Sequence, residues 1–100
     1  MTEKIVVKVD QDLEDLIPLF MSTREKDIAG LVAGLAAGDF TALRMIGHSM
    51  KGAGGAYGFD PVSTFGGAIE TAALAGDAAT IHTQLAALRD YLARVEIQYV

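Results

Sequence analysis

The residue types best suited to chemistry stand together in one stretch, Gly47-His48-Ser49-Met50-Lys51-Gly52-Ala53-Gly54-Gly55-Ala56-Tyr57-Gly58. A neutral imidazole is a nucleophile. Lys51, one helical turn past His48, brings positive charge to where the oxygens of a transferred phosphoryl group would lie. Such a transfer asks a protein mainly for positioning and charge stabilisation. On a helix of about 100° per residue with His48 at zero, Leu43, Ile46, Met50, Ala53 and Tyr57 fall within about 40° of the opposite side, so His48 points away from the core. Arg44, Lys51, Gly52 and Gly55 share its own side to within about 60°, and Ser49 lies about 100° round.

The glycines sharpen this reading. Four in one helix are an odd choice, because each costs up to ~1 kcal/mol relative to alanine in a helix interior. Gly47 and Gly54 flank the buried stripe, where close packing of another helix explains them. Gly52 and Gly55 flank an outward histidine, where the close approach of another protein's backbone is the better explanation. The only charged residues between Phe40 and Phe59 are Arg44 and Lys51, in a chain of net charge −5. A basic spot around an exposed histidine suits a phosphoryl group and an acidic partner site.

Four helices are expected to position this stretch. From Asp12, an N-cap candidate with Asp15 completing a box-like start, Leu13, Ile17, Phe20, Arg24, Ile28, Leu31 and Leu35 follow steps of three and four. Pro18 lacks a donor and crowds the carbonyl four residues back, which predicts a kink or break over Glu14 to Pro18. Gly38-Asp39 reads as a stop and a new N-cap, and a second helix runs from Phe40 to Tyr57, closed by Gly58. Asp60 as N-cap, with Pro61 in the first turn, opens a third, with Val62, Phe65 and Ile69 on its stripe. Gly76-Asp77 repeats the stop and start before a last helix carrying Ile81, Leu85, Leu88, Leu92 and Val95. Lys4 to Val9 reads as an extended arm rather than a strand of a sheet, since no partner strand is evident. The fold expected is an all-α, up-and-down antiparallel four-helix bundle with an N-terminal arm over residues 1–11.

One hundred residues, 51% hydrophobic and 21% charged, describe a single folded domain over residues 1–100. Without cysteine there is no disulfide, thiolate metal site or thiol nucleophile, and the cytoplasm is the default compartment. The longest nearly apolar run, Ile28 to Gly38, is about half of the ~20 residues a bilayer span needs. Acidic net charge argues against nucleic acid and anionic lipid as ligands, which favours protein partners. No cofactor and no metal site is expected, because two histidines without a Glu-x-x-His pair do not make a di-iron bundle. His82, one step off the last helix's stripe, reads as a surface residue.

His48, Met50, Lys51, Gly52, Ala53, Tyr57 and Gly58 match the pattern His-x-Leu/Met-Lys-Gly-small-x-x-x-Tyr/Phe-Gly, which resembles that of histidine-containing phosphotransfer (HPt) domains. Gly38-Asp39 and Ile69-Glu70 are similar to the family's turn before the histidine helix and the Leu-Glu of its next helix. Ala53 stands where many members have serine. The resemblance implies a phosphorelay intermediate that takes a phosphoryl group from a receiver-domain aspartate, often of a hybrid histidine kinase, and gives it to a response regulator's receiver. It implies that His48 is phosphorylated on its outer ring nitrogen, that Lys51 contacts the phosphoryl group and that Gly52 leaves room for the receiver. With no nucleotide-binding domain among these 100 residues, they are not expected to phosphorylate themselves from ATP. A module that docks receivers without carrying phosphate is the alternative.

Overall fold

A computed structural model describes residues 3–100. The order of elements is strand β1 (Ile5–Val9), a 3-10 helix (Gln11–Leu16), α1 (Ile17–Ala37), α2 (Phe40–Ala53), a 3-10 turn (Gly55–Tyr57), α3 (Asp60–Leu74), α4 (Ala78–Arg94) and strand β2 (Val95–Tyr99). Most residues are helical, and four α-helices carry the fold.

Local chemistry sets most boundaries. Gly38, Gly58 and Gly76 have φ of 64°, 88° and 66°, the left-handed conformation that ends a helix with least strain on glycine. Asp39 accepts from the amide of Ala42, and Asp77 from that of Thr80, each satisfying a donor that the first helical turn leaves free. At α3 the first helical residue is Asp60 itself, preceded by Phe59, which provides no side-chain cap, and Pro61 occupies the first turn.

Asp60 is thus inside α3 rather than its N-cap, and three further expectations need correction. Asp12 does not cap a long first helix; Asp10 accepts from the amide of Asp12 and opens the 3-10 helix, while α1 begins at Ile17 with Pro18 in its first turn. There the missing N–H has no intrahelical acceptor to lose. The second helix stops at Ala53 rather than Tyr57. The N-terminal arm is a strand, paired in parallel with β2 in the register Ile5↔Val95, Val7↔Ile97 and Val9↔Tyr99. Val95 therefore ends the last helix instead of continuing it, with an extended backbone at ψ 131°. The first two residues of the expected arm lie outside the described residues.

The core is built from all four helices and β1: Leu31, Leu43, Met50, Phe59, Val62, Ile69, Ile81 and Leu88 are fully buried, and Val9 seals the strand end. Arg24 follows the apolar stripe of α1 into this interior. Its guanidinium sits 4.6 Å from the centre of the Phe20 ring, and its Nε donates to Asp27 at 2.8 Å. Burial pushes the Asp27 carboxyl up, against the opposing pull of Arg24.

Candidate functional site

The contact between α2 and α3 is made without side chains at its centre. A Cβ on Gly47 would stand 2.7 Å from the amide nitrogen of Glu70 and 2.8 Å from the carbonyl of Gly66. One on Gly66 would strike the Lys51 amide and come within 2.6 Å of the Gly47 carbonyl, and one on Gly54 would meet the Phe59 carbonyl at 2.7 Å. Only glycine permits backbones this close, so the packing reason expected for Gly47 and Gly54 holds.

This crossing lets a residue of α3 reach the exposed face of α2. His48 is 73% exposed, and its Nδ1 is 2.7 Å from Glu70 Oε2. An ionised carboxylate only accepts, so Nδ1 carries the proton and donates, and in the neutral ring this leaves the lone pair on Nε2. Lys51 Nζ is 3.6 Å from Glu70 Oε1, and its stem runs over Gly67, where a Cβ would be 3.7 Å from Lys51 Cδ. The hydrogen bond from His48, and after it the charges of the imidazole and Lys51, hold the Glu70 carboxyl below its ordinary value.

Glu70 is the member of this cluster that sequence reasoning left out of the site. Its one signal was the Ile69-Glu70 pair at the family's Leu-Glu position. It also corrects the reading of a purely basic spot, because a carboxylate from the neighbouring helix lies between the histidine and the lysine. Arg44 is half-buried on α2 and forms no ion pair among the described residues.

The other expected partner-binding residues separate. Gly52 faces open space, with nothing within 4 Å of a Cβ built there. Ser49 is exposed beside His48. Gly55 is also exposed, but it has left α2: it belongs to the following 3-10 turn, its amide donates to Ser63 Oγ, and a Cβ would stand 3.4 Å from Asp60 Oδ1. Gly55 therefore stands just beyond the helix that carries His48. Tyr57 is half-buried with its ring centre 5.0 Å from that of Phe20. Past Gly52, Ala53 and Tyr57 join Leu16, Leu19, Phe20 and Thr23 around an apolar groove of about 190 Å³.

An exposed nucleophilic nitrogen, a carboxylate that orients its ring and a flanking ammonium are the parts a phosphoryl acceptor requires. A family model for the Hpt domain matches residues 15–98. The chain belongs to the Hpt domain family. Hpt domains are histidine phosphotransfer modules of phosphorelays, so the family agrees with the chemistry that the cluster allows. No match was found among curated proteins or among solved structures. Among the described residues, no helix of this Hpt domain is long and apolar enough to cross a membrane, and no cluster of metal-ligating side chains occurs.

Proposed function

We propose that this Hpt domain is a phosphorelay intermediate in which Nε2 of His48 takes a phosphoryl group from a receiver-domain aspartate, such as that of a hybrid histidine kinase. It then passes the group to the aspartate of a response regulator. The carrying observation is the 2.7 Å contact from Nδ1 to Glu70, on a ring that is 73% exposed. Nε2 attacks phosphorus, an N–P bond forms, and the O–P bond to the donor aspartate breaks with departure of its carboxylate. Positive charge developing on the ring is stabilised through Nδ1–H by Glu70, and Lys51 turns its ammonium to the phosphoryl oxygens. The second transfer is the reverse of the first on a different aspartate.

Receiver docking is assigned to the face around His48, with Gly52 as the point of closest approach and Arg44, Ser49 and Gly55 at its margins. The up-and-down antiparallel bundle belongs to the same reading. It is supported by the contact order of α2 with α3, in which Gly47 meets Glu70 and Gly54 meets Phe59. One domain over residues 1–100 and a cytoplasmic location are further parts of the proposal.

The test is phosphotransfer from labelled receiver domains. His48→Gln should fold as the wild type and accept no acid-labile phosphate, while His82→Gln should still accept it. Labelling retained in the His48 variant would remove the proposal. A His48 chain that binds receivers tightly yet never acquires phosphate would be the non-catalytic docking module instead.

A further inference from the structure

On the side of α1 that meets α4, a groove of about 430 Å³ is lined by Val32, Leu35 and Ala36 of α1 and by His82, Leu85 and Arg89 of α4. None of these residues takes part in the cluster around His48. The groove floor is apolar, and Val32 remains 44% exposed. One wall has no charge at all, since Ile28 to Gly38 contains no charged residue. The other wall carries Arg89 and His82, seven residues apart and therefore about 10 Å along nearly the same line of the helix. Neither has an acidic partner among the described residues, whereas Arg24, Lys51 and Arg94 all do. In a chain of net charge −5, an apolar channel whose one charged lining residue is an arginine, with no carboxylate on its edge, is a local inversion of sign.

We infer that this groove receives an acidic amphipathic helix of a partner protein, separate from the receiver that docks at His48. Its openness decides between ligand classes. A small molecule is held when a pocket buries most of its surface, and a channel with Val32 and Ala36 open to solvent does not enclose one. A helix laid lengthwise needs only a channel for side chains at i, i+4 and i+7, and two turns of α4 match that length. Acidic residues flanking those anchors would meet the Arg89 guanidinium, with the His82 ring as a further N–H donor, so Arg89 selects for acidic partners and the apolar floor holds them.

The experiment uses the 100-residue chain, isotopically labelled and titrated with a synthetic helical peptide bearing leucine at i, i+4 and i+7 and glutamate beside them. The peptide should shift the NMR signals of Val32, Leu35, Leu85 and Arg89 and leave those of His48 and Lys51 in place. Arg89→Glu and Val32→Glu, both at exposed helix positions, should each weaken binding by about 10-fold or more, as should exchanging the peptide's glutamates for lysines. Both variants should still take phosphate on His48 from phosphoramidate at the wild-type rate, which keeps this test separate from that of phosphotransfer. The inference is overturned if the peptide leaves the groove signals unmoved, if it shifts the His48 face instead, or if Arg89→Glu binds it equally well. Concentration-dependent self-association through Val32 and Leu85 would also overturn it, by making a second copy of the chain the occupant.

Discussion

The two sides of this helical fold are packed by opposite means. Between α2 and α3, Gly47, Gly54 and Gly66 bring backbone against backbone, and a side chain from one helix is fixed relative to a side chain of the other. Between α1 and α4, Val32, Leu35 and Leu85 hold the helices apart and leave a channel. The difference fits the proposed task. A hydrogen bond of 2.7 Å between His48 and Glu70 tolerates little drift of one helix along the other, and glycine contacts remove the rotamer freedom that would allow it. The α1/α4 side carries no such pair, so looser packing costs the phosphotransfer chemistry nothing.

The strongest way to break this contrast is to add volume on each side. Gly66→Val places its Cβ against the Lys51 amide and the Gly47 carbonyl, which are backbone and cannot swing away. It should destabilise the protein by about 3 kcal/mol, the upper range for overpacking a close-packed site, and lower Tm by about 12–24 °C for a domain this size. Ala36→Val, on the exposed rim of the channel, should stay within about 0.5 kcal/mol of wild type. Thermal unfolding of the two variants decides the matter, and equal losses would show that the two sides do not differ.

Gly52 sharpens the comparison, because it is a glycine of α2 that no helix touches. A Cβ there meets nothing within 4 Å, and leucine recovers most of the ~0.8–1 kcal/mol that glycine gives up in a helix interior. Gly52→Leu should therefore match or exceed the wild-type Tm. Transfer from a receiver domain should nevertheless fall on the order of 100-fold, or about 2.7 kcal/mol of barrier, while phosphoramidate, which needs no docked protein, still modifies His48. Normal receiver transfer in a stable variant would mean that Gly52 is not the point of approach.

How far the sequence discloses these features depends on how local their causes are. Gly38-Asp39 and Gly76-Asp77 mark helix ends because a left-handed glycine and an aspartate cap act within a few residues. His48 and Lys51 are one turn apart, so helix geometry alone sets them side by side. The strand pair was missed because Ile5 and Val95 meet from opposite ends of the chain. The alternation Val95-Glu96-Ile97-Gln98-Tyr99 signals a strand only once the stripe of α4 is allowed to stop. Glu70 was missed for the same reason: it reaches His48 across 22 positions of sequence, through a helix crossing that glycine spacing suggests without naming its partner.

The smallest effect concerns that reach. Glu70→Gln keeps an oxygen that accepts from Nδ1–H but loses the charge, whereas Glu70→Ala loses both. Alanine should slow transfer by about 10-fold, on the order of 1.4 kcal/mol of barrier, and glutamine should fall between alanine and wild type. A structural role alone would slow nothing beyond what lost stability explains, so the tautomer is the separate readout. Imidazole nitrogen NMR should find the Nδ1–H form in the wild type and a larger share of Nε2–H in the alanine variant. The sign of the pH dependence follows from the lowered carboxyl, whose ordinary value is 4.5. Contacts that favour the ionised form stabilise the fold fully above that value, and their contribution is lost as pH falls through the lower folded value. The stability gap between wild type and Glu70→Ala should therefore be present at neutrality and close as the solution is taken well below the ordinary carboxyl value. A gap that persisted undiminished in strong acid would mean that His48 and Lys51 do not favour the ionised carboxylate, and the assignment of Glu70 as the acceptor from Nδ1–H would fail.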